Sequence, residues 1–295
     1  APEDQRQELA LRIQRIWPLL DLNRVEEART AIAALHSTGN SEVLLQNAVL
    51  HLRQNNFAAS RATAQKALEM NPADVRALEL IMRCSVGDKR LQDGIEIVRR
   101  HAGQHTTTSV VQMFLGRVEL HAGNVGKARA AFEAAKTAAP GTLDAVWSLI
   151  DLDIAERKLE DARRRLAPLI KGPNDIAATA KLGLIEQMAG NYKAASEHYR
   201  KVLQTNPREV AVLNNLAYIL TEFLENPTEA LRYAQTAKEL QPESAAIDDT
   251  LGWTYYKMGL YPSAVRHLEL AVKREPSAAR NEHLGGPPLL FAQTS

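Results

Sequence analysis

His101 and His105 stand four residues apart, the spacing at which one helix face can offer two imidazoles to a metal ion. Gly103 lies between them, and the segment falls where a turn is expected, so the spacing is read as incidental. Paired carboxylates are the other starting point for chemistry. Asp151 with Asp153 and Asp248 with Asp249 are separated by two residues and one residue, and such neighbours do not face each other on a helix. Both pairs are read as solvated helix residues. Cys84 is the only cysteine, which excludes an internal disulfide and suits a small core hydrophobe. No glycine loop shaped for phosphate, no nucleophile elbow and no His-Glu-x-x-His zinc motif occurs. The sequence therefore assigns no catalytic residue and no metal ligand, implies no cofactor, and does not read as an enzyme.

The elements that would position any functional side chain announce themselves by repetition. Ala48, Ser60, Ala64, Ala67 and Pro72 are spaced by 12, 4, 3 and 5 residues. The same ladder returns at Gly116, Ala128, Phe132, Ala135, Pro140, at Gly183, Ala195, Tyr199, Val202, Pro207, and at Gly252, Ala264, Leu268, Ala271, Pro276. Steps of 4 and 3 keep residues on one helix face. The small residue twelve positions earlier belongs to the preceding helix, where a missing side chain lets two backbones approach. Gly123, Gly190 and Gly259 sit where the first helix must end, and glycine just past a helix end is the usual cap. Each unit closes before a proline, which stops the second helix. A period near 34 predicts a solenoid of helix pairs, and that architecture bounds the function to binding.

This pattern resembles the tetratricopeptide repeat (TPR), most closely at Leu251-Gly252-Trp253-Thr254-Tyr255 followed by Ala264, Leu268, Ala271 and Pro276. Weaker copies run through Ile16–Asn40, Met82–Thr106, Ile150–Pro173 and Ala217–Pro242, the last with an extra residue around Glu225-Asn226-Pro227. The resemblance implies an all-α, right-handed superhelical solenoid of about eight helix-turn-helix repeats. Its expected layout is a divergent N-terminal capping repeat over 1–40, then seven repeats over 41–74, 75–108, 109–142, 143–175, 176–209, 210–244 and 245–278. A truncated helix start and apolar tail follow over 279–295, where Gly286-Pro287-Pro288 interrupts and Leu289-Leu290-Phe291-Ala292 follows as a short apolar stretch. This end reads as a truncation or a junction, open to self-association through the terminal repeat or tail.

In the TPR family the first helix of each pair, helix A, lines the inner surface of the superhelix. Mapped by resemblance, that track carries Arg83, Met113, Phe114, Arg117, Trp147 and Asp151, then Lys181, Asn214, Asn215, Tyr218, Asp249, Trp253 and Tyr256. Trp147 and Tyr255 are read as packing residues at the joints. Asparagine is a mediocre helix former, so adjacent Asn214 and Asn215 suggest bonding to a peptide backbone. Asn215 matches one asparagine of the carboxylate clamp of TPR co-chaperones, but Ala246 and Thr250 stand where that clamp's basic residues belong, so the clamp function is rejected.

Composition narrows the partner. Lys and Arg number 36 against 35 Asp and Glu, which argues against nucleic acid, since a nucleic-acid binder shows a basic excess or stripe. Arg163-Arg164-Arg165 and Lys89-Arg90 are read as solvated faces. No apolar run approaches the ~18 residues of a membrane span, so no membrane insertion is expected. The expected partner is a protein or peptide held in the groove. The stretches Asn214–Tyr218 and Ile247–Trp253 resemble those of bacterial envelope-associated TPR proteins of exopolysaccharide and export systems, which implies an adaptor role in the periplasm or envelope, the cytoplasm being the other compartment considered. The alternative class is a substrate-recruiting TPR region of a larger enzyme such as a glycosyltransferase.

Overall fold

The computed structural model describes residues 3–170 and 175–275, and every regular element among them is helical. Pro173, Pro276 and the expected C-terminal tail lie outside the described residues. The chain divides into two compact units, Ala1–Leu152 and Asp153–Ser295.

The first unit begins with α1 (Glu3–Gln14), the short α2 (Ile16–Asp21) and α3 (Val25–Leu35). Helix pairs follow: α4 (Ser41–Arg53) with α5 (Phe57–Met70), α6 (Val75–Gly87) with α7 (Leu91–Gln104), α8 (Ser109–His121) with α9 (Val125–Ala138), and then α10 (Asp144–Ala155). Asn40, Asn56 and Asp74 accept hydrogen bonds from the backbone N–H groups of Glu42, Ala59 and Arg76 (2.8, 3.3 and 3.1 Å), which fixes where α4, α5 and α6 begin. Ile13, Ile16, Leu20, Ala28 and Ile32 pack with Val43 and Leu50 of α4, so the N-terminal helices cover the first full pair.

The second unit contains α11 (Leu159–Leu166), α12 (Asp175–Met188) with α13 (Tyr192–Thr205), α14 (Val210–Glu222) with α15 (Pro227–Leu240), and α16 (Ala245–Lys257) with α17 (Tyr261–Arg274). Its core joins Tyr199 and Val202 to Leu213, Leu216, Leu220, Ala234, Ile247 and Leu251.

Every helix pair turns on one left-handed residue. Asn23, Asn55, Lys89 and Gly123 do so in the first unit, and Arg157, Gly190, Glu225 and Gly259 in the second, all with φ between 50° and 81°. In most of these turns the next N–H bonds the carbonyl five residues back, as in Arg90 to Ser85 (2.7 Å), Asn124 to Glu119 (2.8 Å) and Asn191 to Glu186 (2.8 Å). That bond satisfies a carbonyl that the helix end leaves orphaned. It also holds lysine, arginine and glutamate in a conformation that costs an L-residue roughly 1–2 kcal/mol. Glycine therefore marks only some of the turns. The extra residue at Glu225 is visible in the bonding, because Asn226 reaches back six positions to Leu220 (2.8 Å).

The repeated small residue meets the repeated large one. A Cβ on Gly183 would lie 2.6 Å from the Tyr199 ring, and one on Gly252 2.6 Å from Leu268 Cγ. Gly116 faces Phe132 in the same way. In α4 and α5 the position of the large residue is held by the buried Ala64, and the buried Ser60 hydroxyl beside it donates to the Ala48 carbonyl at 2.7 Å.

Charged residues tie one pair to the next. The Arg99 fork grips Glu119 (Nη2 to Oε2, 2.8 Å), and Asn124 Nδ2 donates to the same carboxylate at 2.9 Å. Arg163 and Asn191 hold Glu186 likewise, at 2.8 and 2.7 Å. Arg99 holds the Glu119 carboxyl below its ordinary pKa, the gain outweighing burial. For Glu186 burial pushes upward, and the bonds from Arg163 and Asn191 prevail to leave it lowered.

Two sequence expectations need correction here. Asp153, Asp248 and Asp249 are buried, not solvated. Asp153 accepts from Arg165 at 2.8 Å, and Asp248 is ringed by Lys238 (2.7 Å), His267 (3.0 Å) and Arg274. Asp151 is half-buried, and the faces that Asp153 and Asp248 occupy turn inward, where cations from adjacent helices neutralise them. Of Arg163-Arg164-Arg165, only Arg164 is a solvated side chain, at 78% exposure; the other two close joints. Cys84 is buried, as a core hydrophobe should be.

Replacing Gly183 with alanine should destabilise the second unit by about 1–3 kcal/mol through overpacking, even though alanine improves helix propensity by about 1 kcal/mol. In a urea-denaturation double-mutant cycle with Tyr199→Ala, the two losses should be non-additive by more than about 0.5 kcal/mol; simple additivity would refute the contact.

Candidate functional site

On the A helices of the first unit, Arg83 and Arg117 are exposed, Phe114, Trp147 and Asp151 are half-buried, and Met113 is buried. Met113 packs with Phe132, Leu149 and Leu152 and so belongs to the core rather than to an open face. Phe114 leans on the cluster containing Leu78, Leu80 and Ile81.

In the second unit the A helices α12, α14 and α16 carry Lys181, Asn214, Asn215, Tyr218, Asp249, Trp253 and Tyr256. Adjacent A helices are joined by a buried hydrogen bond between the Thr221 and Thr254 hydroxyls, 2.9 Å apart. Asn215 is buried and donates to the Tyr199 hydroxyl at 3.4 Å, which in turn donates to Gln187 Oε1 at 2.9 Å. Burial raises the Tyr199 pKa and the Asn215 bond opposes it. This amide thus supports the ring that fills the Gly183 contact. Asn214 is buried as well, and its Oδ1 has no hydrogen-bond donor among the described residues, a situation worth roughly 1–3 kcal/mol of lost solvation. Asp249 is buried, while Lys181 and Tyr218 are half-buried.

The aromatic side chains form two surface groups. Trp253 and Tyr256 stack with centroids 5.2 Å apart and planes 16° from parallel, and Tyr261 tilts against Tyr256 at 5.8 Å. The indole N–H of Trp253 donates to Glu222 Oε2 at 2.7 Å. Lys257 bridges Glu222 (3.1 Å) and the Trp253 ring (5.0 Å to its centroid). These bonds leave Trp253 half-buried and oriented while Tyr256 stays 49% exposed. The second group stacks Tyr192 on Phe223 at 3.5 Å, with Tyr218 edge-on to Phe223 at 5.8 Å. Tyr192 and Phe223, with Lys193, Glu197 and Leu224, line an open cleft of about 630 Å³. Tyr255 instead packs on the core and stacks with His267 at 5.6 Å.

Sequence reasoning missed Tyr192, Phe223, Tyr261, Glu222 and Lys257. A signal existed, because Tyr192 and Tyr261 both open a B helix directly after the turn. His101 and His105 pack ring against ring at 4.5 Å, and His101 Nε2 donates to the Pro72 carbonyl at 2.8 Å. Among the described residues no three His, Cys, Asp or Glu side chains are grouped to hold a metal ion, and no helix is long and apolar enough to cross a membrane.

Residues 45–107, 111–141 and 180–245, more than half of the chain, match the family described as tetratricopeptide repeat. A TPR repeat-containing protein of Pseudomonas aeruginosa is 27% identical over 113 residues, which cover 38% of this chain and 19% of that protein. The matched segment thus spans about a fifth of that relative's length. Among solved structures, a tetratricopeptide repeat protein from Parabacteroides merdae is similar with a TM-score of 0.58 at 14% identity, covering 80% of this chain and 93% of the other. The pilF protein of Pseudomonas aeruginosa is similar with a TM-score of 0.53 at 14% identity, covering 83% and 96%. At these identities the structural likeness is one of fold.

Burial lowers the His101 pKa below its usual 6.5, the Pro72 bond opposes this, and the His105 ring lowers it further. The folded state therefore disfavours protonated His101. Its contribution should be present above about pH 6.5, the unfolded value, and lost as pH falls through the lower folded value. The melting temperature should rise between about pH 5 and pH 7, and His101→Gln should flatten that rise; an unchanged slope in the variant would exclude His101 as its source.

Proposed function

The chain belongs to the tetratricopeptide repeat family, and from that premise we propose that it is a non-catalytic adaptor that holds an extended segment of a partner protein against its A helices. Proteins of this family serve as protein-interaction scaffolds. The observation that carries the reading is the Trp253–Tyr256 platform, in which Glu222 and Lys257 orient the indole and leave Tyr256 half-exposed. A rigid aromatic with its polar edge already satisfied presents apolar area at little entropic cost, the property that makes Trp and Tyr binding anchors. Tyr192 and Phe223 add a second aromatic surface in the same unit. Lys181, Tyr218, Asn214 and Asp249 line the A-helix track beside them, while Asn215 supports from beneath.

A finer reading places the adaptor in a bacterial envelope or export system. Its support is the resemblance of the Asn214–Tyr218 and Ile247–Trp253 stretches to proteins of such systems.

Affinity capture from a bacterial envelope extract tests both levels. The Trp253→Ala, Tyr256→Ala double variant should remain helical by circular dichroism yet lose the main captured protein, with affinity falling about tenfold or more. An unaltered set of captured proteins would remove the platform from the binding site. Within the pair, Tyr256→Ala should shift the melting temperature much less than Trp253→Ala, because only the latter leaves the partly buried Glu222 without its indole donor.

A further inference from the structure

We propose that α6 and α8 select acidic partner segments, with Arg83 and Arg117 each receiving a carboxylate and Val86 and Leu120 receiving aliphatic side chains between them; this rests on the scaffold reading above.

The two guanidiniums occupy the same position in consecutive repeats, 34 residues apart, and both are exposed. Neither has an ion-pair partner among the described residues, whereas Arg76 on α6 itself and Arg61 and Arg99 on neighbouring helices each grip a carboxylate. Three residues after each arginine, on the same helix face, stands an exposed aliphatic: Val86 at 60% and Leu120 at 41%. Val110, at 49%, widens the apolar strip on α8. Isolated exposed arginines are ordinary, and so are isolated exposed valines. The recurrence of the cation and the aliphatic together, in register with the repeat, is what marks a surface built to meet another chain.

The acids nearby do not neutralise it. Glu119, next to Leu120, is buried and held by Arg99 and Asn124, and Glu96 also lies against Arg99. Glu79 is exposed one turn before Arg83 and makes no ion pair among the described residues. His121, one turn after Arg117, has its Nδ1 on the Arg117 carbonyl. With two guanidiniums against the single open carboxylate of Glu79, the open charge of the stripe is net positive, and its cations carry the planar fork that matches a carboxylate.

Geometry sets the spacing of the ligand. α6 and α8 pack together, with Phe114 and Leu115 of α8 in one cluster with Leu78, Leu80 and Ile81 of α6. Axes of packed helices lie roughly 8–10 Å apart, and a chain in the polyproline II conformation advances about 3.1 Å per residue and returns to the same face every third residue. Two carboxylates three residues apart would thus span the two arginines, with aliphatic residues beside them. The interleaved aliphatics fit a protein segment better than a nucleic acid, whose bases stack on aromatic side chains.

A phage-displayed library of random decapeptides, panned against the whole chain, tests this. The expected result is enrichment of segments with two Asp or Glu residues three apart and neighbouring Leu, Ile or Val. The best synthetic decamer, fluorescein-labelled, should bind the Arg83→Glu, Arg117→Glu variant at least tenfold more weakly by anisotropy. Its Lys-for-Glu counterpart should regain affinity for that variant, and circular dichroism of the variant should be unchanged because both side chains are exposed. Enriched peptides that lack acids, or that bind the variant equally well, would overturn the acidic preference while leaving the scaffold reading in place. Displacement of the decamer by single-stranded oligonucleotide at equal concentration would overturn it in favour of a general polyanion surface. Failure to enrich any peptide would overturn the scaffold reading and this inference together.

Discussion

The architecture depends on one steric fit, a missing side chain on the first helix of a pair against a bulky one on the second. At Gly183 a Cβ would lie 2.6 Å from the Tyr199 ring, so any larger residue must displace that ring or its helix. Alanines at 195, 217, 230 and 234 are buried in the core of the same unit, so small residues fill much of the interior of a protein with few aromatics. Where glycine is replaced, as at Ala48, the position of the large residue holds the small Ala64, and the neighbouring Ser60 hydroxyl donates to the Ala48 carbonyl.

Polar groups then lock what the steric fit sets. The turn bond from the residue after the left-handed position to the carbonyl five back closes one helix and starts the next. Asn124 and Asn191 each open a B helix and also bind the glutamate that an arginine of the preceding pair grips. The turn of one repeat and the joint to its predecessor are consequently one hydrogen-bonded structure. Charges buried in this way need full pairing to be tolerated, and Asp248 is held by Lys238, Arg274 and the His267 ring.

These constraints determine which side chains remain for binding. Residues on the A helices fall into two kinds that the repeat position alone does not separate. Met113 and Asn215 are drawn into the interior, the first by apolar contact and the second by the Tyr199 hydroxyl. Arg83, Arg117 and Tyr256 stay outside. The surface chemistry of the two units differs accordingly. Arginines with aliphatics dominate the first, and stacked aromatics the second.

The spacing of Gly, Ala, aromatic and Pro residues was by itself enough to determine the helical class and the pairing of helices, because each step encodes a face or a stop in local geometry. It also marked the small residue of the first helix, as at Gly116, Gly183 and Gly252, as the point where two backbones approach, and the structure sets Phe132, Tyr199 and Leu268, sixteen residues on, against it. Local geometry was silent on which way a polar face turns. Asp153 and Asp248 read as solvated because a carboxylate without a visible partner belongs in water; their partners come from other helices, Arg165 from α11, Lys238 from α15 and Arg274 from α17. The same limit hid the Glu222 and Lys257 support of Trp253, and the three arginines at 163–165 were indistinguishable until Glu186 and Asp153 claimed two of them. Periodicity within one helix is a short-range property that a sequence displays directly, whereas the choice between a buried ion pair and a free surface charge depends on atoms from distant residues, and only the packed structure brings those together.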